Sequence, residues 1–136
     1  MFPDLTRDDV FRIETKRLWL RWPRIQDAAA IERLAGVKAV AEMTGTVPHP
    51  YPKGEAERFV FAARKGNATG ASLQLAIAPR FKPDQCLGII GARLKDPART
   101  ASADLGYWLG EPHWGKGYAT EAAQALIDAI FSYTEA

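Results

Sequence analysis

One short, glycine-rich stretch decides the fold of this sequence: Trp114-Gly115-Lys116-Gly117-Tyr118-Ala119-Thr120. It follows a strand pattern and precedes an amphipathic helix pattern that continues to about Ile130. Glycines let backbone N–H groups approach a ligand closely, and the first turn of a helix leaves its N–H groups unpaired. Because the helix dipole also favours an anion there, the stretch predicts a phosphate site. Lys116 adds positive charge to it, and Thr120 adds a hydroxyl donor.

Two glycines in a loop also occur for turn geometry alone, so two common phosphate motifs are worth testing. The Walker A motif needs a wider glycine spacing and then Lys followed by Ser or Thr, whereas Tyr118 follows Gly117 here. The dinucleotide fingerprint needs a third glycine and an acidic residue after a second strand, but Ala119 and Thr120 stand in the motif. Neither motif fits, which disfavours a phosphate-loop nucleotide enzyme.

Outward from the loop, the pattern predicts one strand, two or three helices, a three-strand meander and a last helix. The strands are predicted over residues 16–22, 71–78, 86–94 and 102–109. The helices are predicted over residues 28–35 and 37–43, from about 53 to an end within residues 66–70, and from about 119. Asp27 is expected to cap the first helix. Pro23 indicates either that the first strand ends there or that this strand lies at an edge of the sheet. This order indicates an α+β fold rather than alternating βαβ units.

Length and composition favour one soluble domain over residues 1–136, with residues 1–13 as an N-terminal arm. The chain has 136 residues, 47% of them hydrophobic and 25% charged, which suits a single core. A formal charge of +2 is too small to indicate a nucleic-acid or membrane partner. One cysteine, Cys86, allows no internal disulfide, and the N-terminus has no apolar signal-peptide core. We therefore expect a cytoplasmic protein.

Together, several motifs resemble the GNAT family of N-acetyltransferases. Gly106-Tyr107-Trp108-Leu109, a short spacer and residues 114–122 resemble the family's central motif, closest to the branch that acetylates ribosomal-protein N-termini and related amines. Residues 14–21, 27–29 and 87–91 are similar to that branch's first strand, first helix start and third strand. The resemblance runs from about Glu14 to Ala136. It implies a mixed, mostly antiparallel sheet flanked by helices.

Two departures from the family pattern carry expectations. Pro112 stands where the family usually has Gln or Arg before the loop. The family continues past the last helix with a strand, a helix and two further strands, for which residues 1–136 have no counterpart. The cofactor cleft is therefore expected to lack one wall. The strand over residues 102–109 would then be an exposed, rather apolar edge, which predicts a homodimer or a larger self-assembly.

What the resemblance implies about the site is specific. Acetyl-CoA, or another acyl-CoA, would be the co-substrate, and no metal is expected, since two histidines and one cysteine make no metal site. The backbone of Trp108, Leu109 and Gly110 would pair with the pantetheine arm. The pyrophosphate would be held by the N–H groups of Trp114, Gly115, Lys116, Gly117, Tyr118, Ala119 and Thr120.

The reaction implied is direct acyl transfer to a primary amine of a protein N-terminus or a small molecule. Such a transfer needs a base for the amine and an N–H donor for the oxyanion, for which the Leu109 amide is a candidate. Asp104 and His49 are the candidate bases, and His49 and Tyr51 would lie at the acceptor site. Each also has a structural interpretation: Asp104 as an exposed strand carboxylate, His49 as a loop histidine and Tyr51 as a loop anchor. The alternative function is a catalytically impaired CoA-binding or structural remnant that acts through self-association.

Overall fold

The structure, a computed structural model, describes residues 2–44, 47–96 and 99–133. Its strands form one five-stranded sheet in chain order, and all four pairings are antiparallel. The strands are β1 (Arg12–Glu14), β2 (Leu18–Arg21), β3 (Ser72–Pro79), β4 (Gly88–Asp96) and β5 (Arg99–Leu109). The helices are α1 (Ala28–Ala35), α2 (Lys38–Thr44), α3 (Glu55–Thr69) and α4 (Tyr118–Tyr133). The predicted α+β order is confirmed.

Helices cover both faces of the sheet, because side chains alternate between the faces along each strand. On one face, Leu75 and Ile90 pack with Leu126 of α4 in the larger core cluster. On the other face, Ala76 and Ile89 pack with residues of α1 and α3 in a second cluster. We call these the α4 face and the α1–α3 face.

The segment before β2 is more ordered than the polar arm that the sequence predicts. It contains a 3₁₀ turn (Asp4–Arg7) and β1. Phe2 and Phe11 are buried in the larger core cluster, and the Phe2 N–H donates to the Gly70 carbonyl at 2.9 Å. Isolated phenylalanines and a three-residue strand have no period to detect, so the pattern could not find them.

Asp27 does not cap α1 as predicted. No side-chain cap bond is present, and the carboxylate instead forms a bidentate pair with the Arg21 guanidinium, both bonds measuring 2.8 Å. The two side chains are only 2% and 4% exposed. Burial alone would lower the pKa of Arg21. The hydrogen bonds and the negative charge of Asp27 outweigh that effect, so the pKa of Arg21 is raised. A buried ion pair therefore joins β2 to the start of α1.

Other boundaries refine the predictions. The proline-based alternative of an edge position for the first strand is wrong, since β2 lies between β1 and β3; Pro23 follows its end. α3 ends within residues 66–70, as predicted: Thr69 is its last residue, and Gly70 follows with a left-handed φ of 79°. β4 corresponds to the strand predicted over residues 86–94 and lies between β3 and β5. Cys86 is buried, and burial raises its pKa to about 12.

β5 forms the outer edge of the described sheet, pairing with β4 alone. Its side chains Leu105 and Tyr107 are 40% and 51% exposed. The loop predicted over residues 44–52 includes residues 45 and 46, which lie outside the described residues. Among the described helices, none combines the length and apolarity needed to cross a membrane.

Candidate functional site

The glycine-rich loop has the backbone geometry that a ligand cradle needs. Gly115 and Gly117 adopt φ angles of 76° and 80°, a left-handed conformation that residues with a Cβ rarely adopt. A Cβ built at Gly115 would meet no atom within 4 Å, so this glycine faces open space. The loop is therefore shaped by its glycines, and the space beside the Gly115 Cα is open.

The start of α4 supplies unpaired donors beside this loop. The first bond into the helix runs from the Glu121 N–H to the Gly117 carbonyl at 3.0 Å. The N–H groups of Tyr118, Ala119 and Thr120 precede that bond, so they have no partner within the helix. They add to the positive end of the dipole of a 16-residue helix.

Arg17, between β1 and β2, fastens the loop to the sheet. Its Nε donates to Glu121 at 2.7 Å and its Nη1 donates to the Lys116 carbonyl at 2.8 Å. Its guanidinium also lies 4.6 Å from the centroid of the Tyr118 ring. A Cβ at Gly117 would come within 3.3 Å of the Arg17 Nη2, so the guanidinium lies directly beside the loop backbone.

Glu121 is the acidic partner at the base of this attachment. Its carboxylate accepts hydrogen bonds from the Thr15 hydroxyl and from the Arg17 N–H, the latter at 3.0 Å, besides the Arg17 side chain. Burial alone would raise the pKa of Glu121. These hydrogen bonds outweigh that effect, so the pKa of Glu121 is lowered. Pairing with Arg17 also neutralises a carboxylate that would otherwise repel an anion from the first turn of α4.

Trp114 ties the other end of the loop to the end of β5. Its indole Nε1 donates to the Leu109 carbonyl at 2.7 Å. Gly110 is buried beneath α1, where a Cβ would lie 2.7 Å from Leu34, and its N–H donates to the Leu87 carbonyl at 2.8 Å. Both groups are thus engaged within the chain, and of the proposed pantetheine-pairing residues only Trp108 and Leu109 line a cavity.

A cavity of about 570 Å³ lies between the loop, the start of α4 and β5. We call it the loop cavity. Most of the coenzyme-binding residues predicted from the sequence line it: Trp108, Leu109, Trp114, Gly115, Gly117, Tyr118, Ala119 and Thr120. Lys116 does not line it and is exposed, with its carbonyl turned to Arg17. The sequence pattern missed six lining residues from other segments: Val40, Thr44, Leu105, Gly106, Tyr107 and His113.

His113 is one of these missed residues. Its side chain is half-buried and lines the loop cavity. Burial, together with the nearby positive charges of Lys116 and Arg33, lowers its pKa. His113 therefore gains its positive charge at a lower pH than an ordinary histidine does.

A second cavity, also of about 570 Å³, lies on the α1–α3 face of the sheet. We call it the sheet cavity. It shares Leu105, Gly106, Tyr107 and Trp108 of β5 with the loop cavity. Its other lining residues are Ile31, Val47, Pro48, Tyr51, Glu55, Phe59, Gln74, Ile89, Gly91, Arg93 and Asp104. β5 is thus a common wall between the two spaces.

Two of the three residues predicted for catalysis and acceptor binding line the sheet cavity. Asp104 stands on β5 directly opposite Arg93 of β4. Tyr51 is half-buried, and burial, followed by the charges of Glu55, Glu57 and Glu32, raises its pKa to about 12. His49 is exposed and lines neither cavity. Within the described ranges, no three His, Cys, Asp or Glu side chains cluster as a metal would require.

Comparison with known proteins identifies the family. The model of the acetyltransferase (GNAT) domain matches residues 17–136. This chain belongs to the GNAT acetyltransferase family. The fold agrees: the microcin C7 self-immunity acetyltransferase MccE, solved in complex with acetyl-CoA and AMP, superposes with a TM-score of 0.67 at 22% identity. That match covers 85% of this chain and 63% of the other.

Among sequences, this GNAT domain is 29% identical over 118 residues to the uncharacterized N-acetyltransferase p20 of Bacillus licheniformis, covering 87% of this chain and 65% of that protein. It is 43% identical over 47 residues to the ribosomal-protein-serine acetyltransferase of Escherichia coli, covering 35% and 26% of the two chains. The resemblance to the ribosomal-protein branch is therefore confirmed. The chain spans less than two thirds of the length of these relatives.

Proposed function

We propose that this chain is an acyl-CoA-dependent N-acyltransferase, which moves an acetyl or related acyl group to a primary amine by direct attack on the thioester. One observation carries the proposal: two cavities meet at a single strand, β5, and one of them is bounded by a helix start and a positive-φ glycine loop. Such a loop suits an anionic coenzyme, and the space across the strand suits an acceptor. Family membership supports this assignment.

On the coenzyme side, the residues fit the group that they would hold. The N–H groups of Tyr118, Ala119 and Thr120 would bind the pyrophosphate of acyl-CoA, and the open space at Gly115 would admit it. Arg17 would hold the loop in this shape while it neutralises Glu121. The acetyl-CoA bound to MccE supports acetyl-CoA as the first coenzyme to test.

On the acceptor side, the amine would enter the sheet cavity and face the common wall. When the C–N bond forms and the C–S bond breaks, the amine loses a proton and the thiolate gains one. We propose Asp104 as the base that takes the amine's proton, directly or through water, because it is the predicted base that lines this cavity. The Leu109 amide remains our candidate donor to the oxyanion. Tyr51 would stay neutral and help to shape the pocket.

A thiol-release assay tests the proposal. The full chain with acetyl-CoA and a panel of primary amines should release free coenzyme A thiol, and Asp104→Asn should lower kcat by about 100-fold or more. Asp84→Asn, an exposed aspartate that lines neither cavity, is the matched control and should leave the rate unchanged. No thiol release with any amine would favour the alternative, a coenzyme-binding or structural remnant.

We also propose that copies of the chain associate through the free edge of β5 and act in the cytoplasm, where acyl-CoA is available. An exposed edge with apolar side chains is a common pairing surface, and here it carries Leu105 and Tyr107. Light scattering of the full chain should give the mass of a dimer or more. A monodisperse monomer would contradict this part of the proposal.

A further inference from the structure

The floor of the sheet cavity carries two polar side chains, Gln74 and Arg93, to which the proposed reaction assigns no role. The α1–α3 face of the sheet presents three cross-strand pairs of β4 and β5 there: Ile89 with Trp108, Gly91 with Gly106, and Arg93 with Asp104. The first pair is apolar and lies at the wall shared with the loop cavity. The last pair is charged and lies about 13 Å further along the strands, at a rise of about 3.3 Å per residue.

The glycine pair in the middle leaves the floor open for a side chain from the next strand. Gln74 of β3 stands opposite Gly91, and its amide lies over that glycine. A Cβ at Gly91 would lie 2.2 Å from the Gln74 Oε1, so the amide could keep this place only if position 91 has no side chain. At Gly106 a Cβ would meet no atom within 4 Å, so the floor beyond the amide is open space.

The amide of Gln74 and the guanidinium of Arg93 are available to a ligand. Gln74 uses its backbone N–H and C=O to bind Asn67, at 2.7 and 2.9 Å, and its side chain makes no hydrogen bond within the described part of the chain. Arg93 likewise forms no ion pair or hydrogen bond among the described residues. Diagonal neighbours on adjacent strands lie about 7–8 Å apart, so one small anionic group can reach both side chains.

The charges around the cavity point to a ligand with both signs of charge. Glu55 at the start of α3 and Asp104 of β5 are negative, and Arg93 of β4 is positive. The Tyr51 phenol adds no charge, because its pKa is raised to about 12. The remaining wall is apolar, formed by side chains such as Ile31, Val47 and Phe59.

We propose that the sheet cavity takes a small zwitterionic amine, an apolar α-amino acid or close analogue. Arg93 and the Gln74 amide bind its carboxylate, and its apolar group packs against Ile31 and Phe59. Its amine lies beside Asp104, the proposed base, at the wall that β5 shares with the loop cavity. This inference rests on the proposed function, because it takes the sheet cavity as the acceptor side. It selects a small molecule rather than a protein N-terminus, which carries no carboxylate at that distance from the amine.

Calorimetric titration of the full chain, saturated with coenzyme A, tests the inference. The probes are L-phenylalanine, L-phenylalaninamide, which lacks the carboxylate, and a Phe-Gly-Gly peptide amide, which represents a protein N-terminus. The wild type should bind phenylalanine about tenfold or more tightly than either amide, since hydrogen bonds to charged groups carry that much. Arg93→Gln should abolish the preference and leave phenylalaninamide binding within about twofold. Gln74→Met should reduce the preference in the same direction.

Arg24→Gln is the matched control, because this arginine is exposed, pairs with Asp84 and lines neither cavity. The inference is overturned if the wild type does not bind phenylalanine, if Arg93→Gln weakens acid and amide equally, or if the peptide amide binds as tightly as the amino acid. Thiol release separates the two proposals. Turnover of amides without a carboxylate preference removes only this inference. Arg93-dependent binding of phenylalanine without thiol release from any amine removes only the transferase.

Discussion

Arg17 connects parts of the molecule that lie far apart in sequence. Its guanidinium contacts a side chain of α4, a carbonyl of the glycine loop and the ring of Tyr118. We expect these contacts to hold the loop in the conformation that presents its N–H groups to the loop cavity. Arg17 is therefore a positioning residue for the proposed coenzyme site, and no motif around residues 114–120 indicates it.

Replacing Arg17 with alanine should weaken acetyl-CoA binding by about tenfold, because Glu121 is left without its partner at the positive end of α4 and the loop loses an anchor. Arg17→Lys should restore part of the affinity. Arg12→Ala is the control: Arg12 also forms an exposed ion pair, with Glu14, and lies over a tryptophan ring, but it lines neither cavity. Calorimetry should find no change for Arg12→Ala; equal losses in both variants would contradict the role of Arg17.

Asp27→Ala should destabilise the fold by about 3–5 kcal/mol, because it leaves the buried Arg21 guanidinium without its counter-charge. Asp84→Ala removes the partner of an exposed pair and should cost about 1 kcal/mol or less. Urea unfolding of the two variants measures the difference. A similar small loss in both would mean that the Arg21–Asp27 pair contributes little.

Site residues that are contiguous in the sequence could be predicted, whereas those that come from separate segments could not. Gly115 and Gly117 were found because the loop is a single motif with a clear chemical use. Arg17, Gln74 and Arg93 each come from a different strand or turn, and each reaches its place only through strand pairing. A single sequence contains no signal that links them.

At the scale of elements, the helices and the three-strand meander followed from hydrophobic period. The pattern missed β1, because three residues are too few to show a period and the two outer ones, Arg12 and Glu14, are polar and exposed. It also assigned Asp27 to a cap, which is the common use of aspartate before a helix. Here a bidentate bond to Arg21 is available to the same carboxylate and replaces the cap.

The short 3₁₀ segment between β5 and α4 carries a pH-dependent group. His113 has a lowered pKa, so it is neutral near pH 7 and gains its proton below about 6.5. A bound anion favours the protonated form. The affinity of the wild type for coenzyme A, relative to His113→Asn, should therefore rise between about pH 7.5 and about pH 5.5. Taking the difference from the variant removes the titration of the coenzyme phosphates.

In the absence of coenzyme, the folding stability of the chain should change with pH in the direction opposite to its affinity for coenzyme A. The folded state holds the neutral form, so stability should fall as the pH drops below about 6.5, the usual pKa of histidine. Thermal unfolding of the two proteins across this range measures the effect. Parallel pH profiles for wild type and His113→Asn, in affinity and in stability, would contradict the placement of His113 at the loop cavity.

At the scale of the whole molecule, β5 organises the proposed chemistry. It is the edge of the described sheet, and it separates a space suited to an anionic coenzyme from a space with charged and apolar walls. The family and the glycine-rich loop before α4 were predictable from the sequence. The acceptor space was not, because its lining comes from α1, α3, three strands and a loop, and only the fold brings these together.

Calorimetric titration with acetyl-CoA measures whether the glycine loop and the start of α4 hold the coenzyme. Two glycines provide a matched comparison: Gly115 in the loop and Gly54 before α3 have φ angles of 76° and 82°, and a Cβ at either meets no atom within 4 Å. Alanine costs each site a similar backbone strain, about 1–2 kcal/mol. We predict saturable binding by the wild type and Gly54→Ala, and about tenfold weaker binding by Gly115→Ala. If the wild type does not bind acetyl-CoA, or if both variants lose the same affinity, the glycine loop does not hold the coenzyme.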